Sequence, residues 1–350
     1  MSWRSLVGWF VIGVIVAVAL QVIQMRSLGG DNTALLAVGS DSLLRPMITA
    51  ELGEVHLVEG FGHDGQMSYL VARDPWRELG LSLDHAGYRY RRILFPLLAG
   101  GFGLLGPRAT VWGLQLWAVV GLGLAAAGLA GLAVVLRLPT WVVAGVLANP
   151  GVWLSVQLLT PDVLALGLTL TGLLLCLKNR WLAGAAALAA AALTKDQYLV
   201  SALGLAGWLW WSVRDRKRAV IVAAVPAGLL GAWSWSLGPV EGMSVRGTLT
   251  LPGVGLLSSI GVWARDGARG VVFGLLAAVG LVYGAVNAVL ARGSLYAWLT
   301  LPWIGLGLLS STWVWDHGNN ALRVFAPVWV FGTLSLGVFS ASRARIRSST

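Results

Sequence analysis

Apolar residues run along this chain in long, near-continuous stretches that recur from end to end. A helix needs about 20 apolar residues to cross the hydrocarbon core of a bilayer. Only helices or closed barrels satisfy their backbone groups there. Barrel strands alternate in short segments, which these stretches do not. The pattern predicts an all-α polytopic transmembrane helical bundle of about ten spans, nine to eleven. They are drawn at 5–24, 109–135, 140–157, 162–177, 180–194, 197–212, 219–237, 270–290, 294–313 and 322–341. Several are short, 180–194 above all, and such helices must tuck among their neighbours or thin the bilayer. The chain is thus expected to be one membrane domain over 1–350. A first span (1–24) precedes a large loop (25–108), the remaining spans (109–341) and a tail (342–350). Ile93–Leu105, apolar but carrying Pro96 and glycines, is expected to be interfacial or re-entrant. Counting it as a span would reverse the charge pattern.

Composition agrees. The chain is 57% hydrophobic and 11% charged, against about a quarter charged in soluble domains. Its net charge of +10 fits basic residues in short loops that fix orientation, and no nucleic-acid module is present. Twelve basic residues fall on one side of the drawing: Arg4, Arg137, Lys178, Arg180, Arg214, Arg216, Lys217, Arg218, Arg292, Arg343, Arg345 and Arg347. That side is read as cytoplasmic, with both termini on it. The acids were not used to build the drawing, yet of 15 only Asp215 falls on that side. The other acids and all four histidines face outward, so the chemistry is expected at the extracytoplasmic face. The first apolar segment is too long for a signal peptide and lacks a small-residue cleavage site, so it is expected to be retained. The lone Cys176 reads as a small core residue.

Four polar clusters occupy the outward side. The first is Gly62-His63-Asp64-Gly65-Gln66, followed by Tyr69 and Ala72-Arg73-Asp74-Pro75. Asp64 there is either a proton acceptor for a hydroxyl or part of an ordinary Gly–Asp turn. The second, Tyr88-Arg89-Tyr90-Arg91-Arg92, offers guanidinium forks for phosphate oxygens or snorkels to headgroups. The third joins Gln157, Thr160-Pro161-Asp162 and Thr194-Lys195-Asp196-Gln197. Asp162 sits where a helix cap is expected. Lys195, between apolar segments, either pairs with Asp162 or Asp196 or binds phosphate. The fourth is Trp313-Val314-Trp315-Asp316-His317-Gly318-Asn319-Asn320, with Arg323 opening the last span. No metal-ligand spacing, Walker loop, dinucleotide fingerprint or nucleophile elbow is found. Neither a metal nor a cofactor is therefore expected.

Two of these segments together, Gly-His-Asp-Gly-Gln…Tyr-Leu-Val-Ala-Arg-Asp-Pro and Tyr-Arg-Tyr-Arg-Arg-Ile-Leu-Phe-Pro-Leu-Leu-Ala, resemble bacterial membrane proteins related to the GT-C glycosyltransferases. Leu193-Thr194-Lys195-Asp196 and Asn319-Asn320-Ala321-Leu322-Arg323 extend the resemblance along the chain. It implies a GT-C fold in the bacterial inner membrane and a polyprenyl-phosphate sugar as donor. The acceptor would be an extracytoplasmic glycan or lipid, and transfer usually inverts the anomeric carbon. Carried over, Asp64 is the general base, and Asp74 is the nearest alternative acid. Arg89, Arg91, Arg92, Lys195 and Arg323 become ligands of the donor phosphate. His63, Gln66, Tyr69, Tyr88, Asp162, Asp316, His317, Asn319 and Asn320 become substrate contacts. The chain departs from the group in having His63 where tyrosine is usual, and in lacking a second acid beside Asp64. A lipid or solute transporter or flippase, and a non-catalytic GT-C-like membrane protein binding lipid phosphate, are the competing readings.

Overall fold

The computed structural model describes residues 3–78, 83, 85–238 and 247–349, with side chains up to 338. Asp84, Glu241 and the side chains of Arg343, Arg345 and Arg347, all used in the charge reading, lie outside the described residues. The fold is all-α. A long helix α1 (Trp3–Ser27) leads into a compact polar segment. This holds β1 (Val38–Gly39), α2 (Arg45–Leu52), β2 (Leu57–Val58), α3 (Asp64–Arg73), α4 (Ala86–Arg91) and α5 (Leu94–Gly100). The two strands form only a two-residue parallel pairing. Then come α6 (Pro107–Val135), α7 (Ala144–Leu147), α8 (Pro150–Gln157), α9 (Asp162–Leu177), α10 (Trp181–Thr194), α11 (Leu199–Gly207) and α12 (Arg216–Ser236). The last third comprises α13 (Val254–Arg265), α14 (Gly267–Leu290), α15 (Leu295–Leu309), α16 (Thr312–Trp315), α17 (Gly318–Val324) and α18 (Ala326–Ser349).

Among the described residues, four helices are long and apolar enough to cross a membrane: α1, α6, α12 and α14. The bent pair α17–α18 makes a fifth if taken as one span. The ten spans drawn from sequence are therefore corrected to four or five. The shortfall has local causes. The stretch 140–157 is broken because Asn149 and Pro150 begin a new helix; the Asn149 side chain accepts from the backbone of Gly151 (3.0 Å) and Val152 (3.3 Å), and proline at the first position supplies no donor. The stretch 197–212 opens as a 3₁₀ turn and closes as a π-helix over Trp208–Val213. α9 and α10, with 16 and 14 residues, reach only about 24 and 21 Å at 1.5 Å per residue. The 46° bend between α17 and α18 sits beside Pro327, whose ring disfavours a helical residue before it. One apolar helix, α13, was not expected at all. α5 and the 3₁₀ turn after it, over Leu94–Leu105, are too short to cross, and Leu104 and Leu105 are exposed.

Small residues set the packing. α6 lies between α1 and α9, and it presents glycines to both. A Cβ on Gly121 would lie 2.7 Å from the Leu164 amide nitrogen, and one on Gly167 would lie 2.5 Å from the Gly121 carbonyl oxygen. On another side of α6, Gly123 receives the Phe10 ring of α1. Close approach of backbones over small residues is how helices associate in lipid, where apolar side chains gain little from leaving the solvent. Cys176 is buried where α9 meets α10, against Gly184. Replacing Gly167 by leucine should separate α6 from α9 and cost roughly 1–3 kcal/mol or more, as overpacking does. A matched leucine at the open position Gly228 should leave the thermal unfolding temperature in detergent within a degree or two.

Candidate functional site

Asp64 owes its position to a turn that only glycine makes easily. Gly62 has φ +77°, and a Cβ there would lie 2.4 Å from the Gly39 amide. The turn is pinned by the His63 amide donating to the Ala37 carbonyl (3.0 Å) and by the Gln66 side-chain amide donating to the Phe61 carbonyl (2.6 Å). Asp64 then opens α3 in its first turn, where the helix dipole favours a carboxylate. Gly65 seats the helix against the Leu36 and Leu158 carbonyls.

Two arginines close on that carboxylate from distant parts of the chain. Arg89, on α4, reaches one oxygen at 2.6 Å. Arg323, on α17, reaches the other at 2.5 Å. Asn320 holds the Arg323 Nη2 at 2.8 Å. Burial pushes the Asp64 carboxyl up, but Arg89 and Arg323 outweigh it and hold the group well below the usual carboxylate range. Arg91 and Arg92 meet a separate carboxylate, Asp196, at 2.8 and 3.0 Å. The Arg92 guanidinium lies over the Tyr88 ring, 3.6 Å from its centre.

These groups line one cavity of about 630 Å³, within the range of small-molecule sites. His63, Asp64, Gln66, Tyr88, Arg89, Arg91, Arg92, His317, Asn319, Asn320 and Arg323 all border it, so the structure brings most of the expected site residues together. Apolar side chains border it as well, among them Leu43, Phe61, Leu249, Leu306 and Trp313. Leu43 and Phe61 are largely exposed.

Five expected site residues do not border it. Lys195 is 1% exposed and pairs with Asp162, one of the two arrangements expected for it. The Arg323 Nε also stands 3.5 Å from Asp162, so Asp162 supports the site from behind. Burial pushes the Lys195 ammonium down to about 8, against the opposing pull of Asp162. Asp74 is 3% exposed and accepts from the Glu78 amide (2.7 Å) and the Tyr90 hydroxyl (3.4 Å), which makes it a turn-stabilising acid. Tyr69 is buried with its hydroxyl 2.5 Å from Glu51, which also pairs with Arg73. Asp316 accepts from Ser259 and ties the segment after α16 to α13.

Sequence reasoning missed two contributors. Asp196 was weighed only as a partner for Lys195. Yet Lys195 has extended backbone, φ −154° and ψ 113°, so adjacent side chains point opposite ways, Lys195 inward and Asp196 to the cavity. The sequence carries no signal that separates the two; the extended break between the helices does. Trp313, within the fourth cluster but not among the expected site residues, borders the cavity beside Tyr88 and His85, at ring separations of 5.9 and 4.2 Å.

Removing one partner of a buried ion pair strands the other, a loss of roughly 3–5 kcal/mol. Lys195→Met should therefore destabilise the protein strongly, and adding Asp162→Asn should recover much of the loss; a double-mutant cycle of unfolding in detergent measures this. Asp64 has a depressed folded pKa, so its contribution to stability is fully present above its ordinary value of 3.8 and lost as the pH falls through the lower folded value. The stability gap between wild type and Asp64→Asn should stay level from neutral pH to about 4.5 and close only below about pH 4.

No protein-family model matches the chain, and neither does any curated protein or solved structure.

Proposed function

We propose that the chain is a membrane glycosyltransferase of GT-C type that uses a polyprenyl-phosphate sugar, with the cavity at the extracytoplasmic face. The observation that carries this reading is the juxtaposition of Asp64 with Arg89 and Arg323 in a cavity that apolar side chains also line. A sugar joined to a lipid through phosphate needs cations for the phosphate, an apolar wall for the first lipid units and a carboxylate beside both. In the transfer, the acceptor oxygen bonds to the anomeric carbon while its proton passes to Asp64. The anomeric carbon–oxygen bond breaks, and its electron pair stays on the phosphate oxygen. Arginines aimed at that oxygen stabilise the charge as it develops. The same arginines hold Asp64 at low basicity. As they turn to the donor phosphate, the carboxylate is released to accept a proton. Non-catalytic binding of a lipid phosphate is the second reading, and the low basicity of Asp64 favours it.

Protein reconstituted in liposomes and supplied with radiolabelled polyprenyl-phosphate sugars decides between them. Asp64→Asn should lower transfer by about 100-fold or more, the scale of a lost general base, when assayed well below the variant's own unfolding temperature. Full activity in that variant removes Asp64 from the chemistry. Retained lipid-phosphate binding with no turnover of any such donor favours the second reading.

A further inference from the structure

Two carboxylates, Asp64 and Asp196, border the cavity, and they are held differently. Asp64 is tied into a network, because its partner Arg323 also holds Asn320 and approaches Asp162. Asp196 follows the extended break after α10 and meets a pair of neighbouring arginines. Each of its oxygens takes one of them, the Arg91 Nη2 at 2.8 Å and the Arg92 Nε at 3.0 Å. Among the described residues, Asp196 is the one carboxylate paired with either arginine.

That pairing leaves polar atoms unmet. The Arg91 Nε and the Arg92 Nη2 are buried without a hydrogen-bond partner. So is the side-chain oxygen of Gln197, the next residue, which also borders the cavity. Arg92 is 5% exposed, and a buried donor left unpaired is costly. Its guanidinium lies against the Tyr88 ring, which fixes its plane. The two arginines thus form a preset fork that a flat carboxylate fills only in part. A phosphate spreads its oxygens over a tetrahedron and can meet donors that two coplanar oxygens leave. An amide such as Gln197 can turn either its oxygen or its NH₂ to a ligand.

We infer that Arg91, Arg92 and Gln197 form a phosphate seat separate from the Asp64 cluster, and that Asp196 is its resident stand-in, displaced when the phosphate of a lipid arrives. This rests on the lipid-phosphate reading of the cavity for the identity of the ligand. Asp196 itself borders the cavity, so on leaving the fork its carboxylate has open space to turn into. Asp64, Arg89 and Arg323 need not part for the ligand to bind, and they stay together until the reaction step. The seat therefore carries a built-in competitor, and the hold of Asp196 on the fork sets the affinity for phosphate.

Binding to the full chain in detergent tests this, with farnesyl monophosphate, inorganic phosphate and farnesol as probes. Asp196→Asn removes the competing charge and should tighten farnesyl monophosphate by about tenfold or more, the scale of a charge-assisted hydrogen bond. Asp64→Asn should change that affinity by less. Arg91→Gln should weaken it by about tenfold or more. Farnesol should bind the wild type and Asp196→Asn alike. Farnesyl monophosphate should bind more tightly than inorganic phosphate, because its chain buries apolar surface. Unchanged or weaker binding of farnesyl monophosphate to Asp196→Asn overturns the inference. An equal gain in Asp64→Asn, or for farnesol, overturns it too. Inorganic phosphate binding as tightly as farnesyl monophosphate overturns the lipid as the source of the phosphate. Should Asp196→Asn fail to fold, Arg91→Gln decides, at the more exposed arginine of the two (17% against 6%); unchanged affinity there overturns the seat. These affinities are read without turnover, so an absence of glycosyl transfer refutes the proposed reaction and leaves the seat to be judged on binding alone.

Discussion

The site depends on Arg323 being shared between two carboxylates. Its guanidinium touches Asp64 on one side and approaches Asp162 on the other, while being nearly excluded from solvent. A buried guanidinium is tolerable only when paired, so the chain must bring α3, α9 and α17 to one point. Arg89 then closes on Asp64 from α4, and Lys195 closes on Asp162 from the end of α10. The order of groups, Lys195, Asp162, Arg323, Asp64 and Arg89, is an alternation of sign running from the bundle interior to the cavity. Each carboxylate is held by two cations, which is why neither Asp64 nor Asp162 can shift alone.

The helical framework holds this alternation at one end of a hairpin. α9 starts at Asp162 and α10 ends just before Lys195, so the Asp162–Lys195 pair closes the hairpin at its open end. Lys178 and Arg180 lie at the opposite end, about 24 Å away along the helix axis. The separation of basic turns from the acid-bearing site is thus built into the hairpin. Glycine contacts between α6 and α9 fix how closely the hairpin approaches its neighbour.

Much of this was legible in the sequence. The four long helices α1, α6, α12 and α14 start and end within a few residues of the drawn spans, because long apolar runs leave few alternatives. Eleven expected site residues, from His63 to Arg323, border one cavity, because charged groups in an apolar chain must collect somewhere. Burial depth was not legible. Lys195 and Asp196 are adjacent and similar in sequence context, and only the backbone angle sends them to opposite sides. Asp74 and Tyr69 sit within the same short segment as Asp64 but on the packed faces of α3 and its exit turn. The span count failed where Pro150, Pro327 and the π-turn at Trp208–Val213 interrupt runs that hydropathy reads as continuous.

Asp64 and Arg323 are 259 residues apart. During synthesis at about 5–20 residues per second, the first loop is complete for roughly 10–50 s before α17 exists. Over that interval Asp64 lacks one of its two arginine partners, and Asp162 pairs with Lys195 without Arg323. The charge alternation therefore stays unfinished until the last helices are made, so the site closes late, and a chain stopped short of α17 keeps a half-paired cluster at its centre.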